Sequence, residues 1–345
     1  MDIDQPDTYA SAQRDVRTNQ QIHSAVPLDP DGDAILILED PTGEKRFLVS
    51  SKILSLASPV FSSLFTSGFK EGIQTRRGDC PSIPLREDNA DAMEIILSIL
   101  HYKNDDIPNL MDAESLAHVA IQSDKYDCNH ALKPWISHWC KSFRDVKQPK
   151  DMGFMLLAAY LFRSVDFYGL SKQAAQELPP TFTTEWEQHE SLAMLPDFVT
   201  DLLSLRIQNS LDDMHQELQR VEEKLRENHH GYSMPGVMCM NCGRTHPDNA
   251  KKCHPCNNTV LYEKHCTSEY RVADYFAILK RAGLWPSIVP FKKFSATSIA
   301  LMLTSARIEH KHQCEAEEVC PLRRELERVD GRVTGVLIGM EGLHI

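Results

Sequence analysis

Ala34-Ile35-Leu36-Ile37-Leu38 is an unbroken apolar run closed by the turn sequence Asp40-Pro41-Thr42-Gly43, which predicts a buried strand. A second short strand is expected over Arg46–Val49 and a third over Ser82–Leu85. Between them the rhythm changes. Ile53, Leu54, Ala57, Val60, Phe61, Leu64 and Phe65 recur at three- and four-residue spacing, predicting one helix from Ser51 to Phe65. Further helices are expected over about Asn89–His101, Asp112–Lys125 (with Asp112 as N-cap) and His130–Phe143. Few strands among many helices predict an α+β fold, a small sheet flanked by helices. Residues 1–32 are polar and aperiodic, and are expected to be a disordered arm.

Beyond residue 146 the pattern is helical. Met152–Asp166 and Leu170–Leu178 read as helices, the second ended by Pro179-Pro180, and Asp197–Asn228 reads as one long helix. On it Ile207, Leu211, Met214, Leu218, Val221 and Leu225 repeat at 4-3-4-3-4 spacing, an a/d seam. Two readings follow: packing on a neighbouring helix of the same chain, or a short coiled coil with a partner. A seam short of three heptads favours the first. Val272, Tyr275, Phe276, Leu279 and Leu284 mark a later apolar face, and Leu322–Val329 another amphipathic helix.

The order Asp33-Ala34-Ile35-Leu36, Phe47-Leu48-Val49, Ile53-Leu54-Ser55, Ala57-Ser58-Pro59-Val60-Phe61 and Gly68-Phe69-Lys70-Glu71 resembles a BTB/POZ domain. Leu116-Ala117-His118-Val119-Ala120 with Asp124-Lys125-Tyr126-Asp127-Cys128 resembles a later helix of fungal members, and the whole layout is similar to BTB proteins of filamentous fungi. The resemblance implies a BTB/POZ domain over residues 33–145; the pattern beyond it is expected to give a helical extension over 146–230, a zinc-ribbon-like segment over 231–262 and a small helical domain over 263–345. It also implies protein partners. Members that serve as substrate adaptors carry a hydrophobic-x-Glu element, matched here by Phe69-Lys70-Glu71, through which a cullin-based ubiquitin ligase scaffold would dock. The alternative is that Phe69 closes the core and Glu71 is solvated. In dimeric members an Asp, matched by Asp33, pairs with a basic residue at the subunit interface. Ser50 and Ser51 occupy the corresponding basic region here, so Asp33 is either a dimer-interface residue or a turn or cap residue, and homodimerisation stays open.

Charge narrows the partners. A net charge of −12 over 345 residues opposes a general nucleic-acid surface. The longest apolar stretches fall short of the ~20 residues of a membrane helix. No secretory signal is expected at Met1-Asp2-Ile3-Asp4-Gln5-Pro6, so an intracellular protein, nuclear or cytoplasmic, is expected, with its ten cysteines reduced or metal-bound.

Cys239-x2-Cys242 and Cys253-x2-Cys256 have the spacing of a closed four-cysteine zinc site, and one structural Zn²⁺ is the expected cofactor. Gly243 suits the positive φ of such a knuckle. The alternative is four idle cysteines. A catalytic zinc is disfavoured, because four thiolates leave no position for water. Cys266, His310, His312 and Cys314 are competent ligands at no recognised spacing, and a second site there is left open.

No P-loop, dinucleotide fingerprint, nucleophile elbow or His-Glu-x-x-His motif is present, so a non-enzymatic interaction protein is expected. The alternative is a transcriptional or chromatin regulator using the zinc segment for nucleic-acid contact.

Overall fold

The computed structural model describes residues 24–40, 43–68, 70–141, 146–286 and 288–344. Most of the expected N-terminal arm, residues 1–23, therefore lies outside the described residues, as does Phe69. The last part of that arm differs from expectation. Val26–Pro27 (β1) pairs in parallel with Gly43–Val49 (β3), and Leu28 is buried. Its amide donates to the carbonyl of Leu48, so backbone pairing fixes a segment whose composition reads as polar linker.

The fold is α+β. Ala34–Asp40 (β2) runs antiparallel to β3 and parallel to Ser82–Leu85 (β4), giving the order β1-β3-β2-β4. Ala34, Ile35, Leu36 and Leu38 are all buried, as a central strand covered on both faces requires. Pro84 lies on the edge strand β4, where its missing N–H does least harm.

The helix expected from Ser51 to Phe65 is two: Ser51–Ala57 (α1) and Pro59–Thr66 (α2). Ser58 breaks it in an extended conformation, accepts a 3.0 Å bond from the amide of Phe61 as N-cap and donates its hydroxyl to the carbonyl of Tyr126. Pro59 takes the first helical position, where no N–H is needed. Lys70–Arg76 (α3) follows, then Ala90–Leu100 (α4), Ala113–Lys125 (α5), Asn129–Lys141 (α6) and Pro149–Leu161 (α7). Asp112 caps α5 as expected, accepting from the amide of Ser115 at 2.8 Å.

The chain divides into two compact units, one reaching to Leu170 and one spanning Ser171–Leu343. The stretch read as a helical extension is thus shared between them, α7 going with the first. Phe167–Glu177 (α8) spans the division, and Phe182–Trp186 (α9) follows it.

The second unit is organised by Asp197–Glu227 (α10). Its seam from Ile207 to Leu225 is buried within the chain, packed on Ser268–Arg281 (α11) and Pro321–Gly339 (α14). The hydroxyl of Tyr275 donates to the carbonyl of Leu218 at 2.9 Å. Helix α14 runs past the expected end at Val329, because burial of Val333 outweighs the helix-weakening Gly331 and Gly335. Between α10 and α11 lies a three-stranded sheet, Thr245–His246 (β6), Tyr232–Cys239 (β5) and Leu261–Cys266 (β7), in the order β6-β5-β7. In its register Cys239 pairs with Leu261 and Tyr232 with Cys266. Ile288–Phe291 (α12) and Ala296–Glu309 (α13) complete the unit.

Candidate functional sites

The turns of the sheet bring Cys239, Cys242, Cys253 and Cys256 together, with their sulfurs all within 4.8 Å of one another. Cys239 and Cys256 are 3.5 Å apart, Cys242 and Cys253 3.4 Å. Both knuckles close alike. The amide of Gly243 donates to the carbonyl of Cys239 at 2.9 Å, and that of Asn257 to the carbonyl of Cys253 at 2.7 Å. Each donor follows the second cysteine of its pair and has positive φ, +69° at Gly243 and +57° at Asn257. Gly243 was the readable half of this symmetry. Asn257 is the half that went unread in the sequence, although asparagine tolerates that conformation better than most residues. Backbone hydrogen bonding from Asn258 lowers the pKa of Cys256 to about 6, whereas burial pushes Cys253 up to about 12. Gly236 draws the strands together: its amide donates to Asp248 at 2.7 Å, and at φ +90° a Cβ would lie 2.8 Å from the carbonyl oxygen of His246.

A second cluster unites Cys266, His312, Cys314 and Cys320. Cys266 ends β7, Cys320 is the N-cap of α14, and the other two lie in the connection from α13. His312 Nε2 is 3.4 Å from the sulfur of Cys266 and 3.3 Å from that of Cys320. Its Nδ1 lies 2.9 Å from a carboxylate oxygen of Asp274. Burial works against a charge on His312, but its bonds to Asp274, Cys320 and Cys314 raise its pKa to about 10. The set differs by one residue from the Cys266, His310, His312 and Cys314 group left open in the sequence: His310 is outside the cluster and Cys320 takes its place. The described residues therefore contain two possible metal sites, one of four cysteines and one of three cysteines and a histidine.

In the first unit, Asp33 accepts from both the amide and the hydroxyl of Ser51, capping α1. Half-buried Glu71, in the first turn of α3, borders an open groove of about 710 Å³ whose walls include Pro59, Val60, Leu64, Ile83 and Pro84. The wall is mainly apolar. Tyr126 also lines it, stacked on Phe61 at 4.5 Å between ring centres, its hydroxyl donating to the buried Asp88 at 2.5 Å.

The order of strands and helices in this unit coincides with a family match, the BTB/POZ domain, over residues 31–142. These residues form a BTB/POZ domain. No curated protein matches the chain. BTB domains generally mediate protein–protein interactions and are typically non-catalytic, so the groove and its rim belong to a fold built for docking. Of the residues read from the sequence as BTB contact points, Glu71 is on the groove and Asp33 is at the start of α1, while the position of Phe69 is outside the described residues. No helix among the described residues is long and apolar enough to cross a membrane.

Proposed function

We propose that this chain is a non-enzymatic interaction protein whose BTB domain docks a partner and whose second unit, held by a structural zinc at Cys239, Cys242, Cys253 and Cys256, presents another surface. The observation that carries the reading is the BTB domain over residues 31–142. The more specific form is a substrate adaptor for a cullin-based ubiquitin ligase, with Phe69 and Glu71 at the scaffold contact. The groove supports this, because an apolar wall beside the Glu71 carboxylate suits an apolar anchor next to a basic side chain. The bonds of both Asp33 oxygens to Ser51 support its reading as a helix cap. The all-sulfur shell of four cysteines supports a structural ion, since it leaves no position for substrate or water.

The test is capture of the tagged full chain from its own cells, beside a Phe69→Ala, Glu71→Ala double variant. A cullin recovered with the wild type and lost with a folded double variant establishes the adaptor. Equal recovery removes those two residues from the contact. In parallel, Cys242→Ser is expected to lose bound zinc and unfold the ribbon while the BTB domain stays folded; unchanged zinc content would refute the assignment.

A further inference from the structure

The Cys266, His312, Cys314 and Cys320 cluster carries an inference beyond the docking function. We infer that these four residues form a second structural zinc site, with the buried guanidinium of Arg271 as the counter-charge to its thiolates.

Geometry supplies the first argument. Zinc bonds of about 2.3 Å to sulfur and about 2.0–2.1 Å to nitrogen set tetrahedral edges of about 3.8 Å between sulfurs and about 3.5 Å between sulfur and nitrogen. The cluster has edges of 4.0 Å between Cys266 and Cys320 and of 3.4 and 3.3 Å from their sulfurs to His312 Nε2. Asp274 supplies the second argument. By holding the proton on Nδ1 at 2.9 Å, it turns the Nε2 lone pair toward the three sulfurs, the usual arrangement around a ligating histidine.

Arg271 supplies the third. It is 0% exposed, and a guanidinium does not lose its proton in a protein. Its hydrogen bonds go to the carbonyls of Asn228, His230 and Cys266, and Nη1 lies 3.7 Å from the sulfur of Cys266. None of these partners is a carboxylate, and its Nε has no hydrogen-bond partner. A buried cation held only by neutral groups is costly. Three thiolates, a neutral imidazole and Zn²⁺ together carry one negative charge, which balances Arg271. The other charges facing the cluster, the half-buried Asp274 and Arg323, are of opposite sign and offset each other; Arg323 donates to the carbonyl of His312 at 3.1 Å.

The ion would join the end of β7 to the start of α14 through the intervening loop. That loop is already laid against β5, where the amide of Glu315 donates to the carbonyl of Ser233 and the amide of Ser233 to the Glu315 carboxylate, each at 2.9 Å.

The test measures zinc in the full chain purified without chelator in zinc-containing buffer, together with X-ray absorption at the zinc edge. Two ions per chain are expected, sharing seven sulfur ligands and one imidazole nitrogen. Cys242→Ser should retain one ion with a sulfur-and-imidazole shell, and Cys314→Ser one ion with an all-sulfur shell. Arg271→Gln should weaken retention of the second ion about 10–100-fold against a competing chelator, the range for residues just outside a metal's ligand shell. A single ion with only sulfur neighbours in the wild type, or a Cys266–Cys320 disulfide found by thiol alkylation, would overturn the site. The wild-type spectrum decides even where a variant fails to fold. Unchanged retention by Arg271→Gln would overturn the counter-charge.

Discussion

The carboxylate of Asp33 receives both the amide and the hydroxyl of Ser51, each at 2.7 Å, so the residue that leads into the central strand also closes the first turn of α1. Asp33→Ala removes both bonds and strands a helix-start amide. It is expected to lower the stability of the BTB unit by about 1–2 kcal/mol, read from urea unfolding. Asp33→Asn, which keeps one acceptor, should lose less. Sedimentation of Asp33→Asn should match wild type, because a cap does not set the oligomeric state.

His101 links stability to pH. Its Nε2 accepts from the amide of Ser50 at 3.1 Å while Nδ1 lies 2.8 Å from the carbonyl of Leu97, which requires the neutral ring with its proton on Nδ1. Burial lowers its pKa below the ordinary 6.5. The unfolded chain therefore binds the proton first as pH falls. The contribution of His101 is whole above pH 6.5 and is lost as the pH drops below that value toward the folded-state pKa. His101→Gln should flatten the fall in stability as the pH drops below 6.5. A slope equal to that of wild type would assign the acid sensitivity elsewhere.

Leu211, at the middle of the α10 seam, is fully buried inside the chain. Leu211→Ala is expected to cost about 2–5 kcal/mol. Since the seam is satisfied intramolecularly, the midpoint of unfolding should not move with protein concentration. A midpoint rising with concentration would mean that a second chain covers the seam.

Gly236→Ala places a methyl group against the His246 carbonyl in a backbone conformation that alanine avoids. A loss of about 1–3 kcal/mol confined to the small sheet is expected, visible as faster amide exchange in β5 and β6. Gly243, whose surroundings are open, should tolerate alanine with only the cost of its positive φ.

The sequence was most readable where one signal had one meaning. The unbroken run Ala34–Leu38 is a central strand, and two Cys-x2-Cys pairs close on one point. It misled where the same pattern spans a break: the apolar spacing from Ile53 to Phe65 continues through Ser58-Pro59, although a serine before a proline is itself a helix-start signal. The second cluster was only half visible. His310 and His312 are equivalent as letters, and the choice between them depends on Asp274 from another helix. Cys320 is separated from Cys266 by three whole helices, a distance no local spacing rule covers.

The register of β5 against β7 puts Cys239 at one end of the ladder and Cys266 at the other. With an ion at each end, this hairpin has no loose end from which to fray. Its amides could then exchange with solvent only when an ion departs or the whole unit opens. Two slow steps would replace the continuous unzipping of an ordinary hairpin, and the strand would become a built-in gauge of how many metals the chain is carrying.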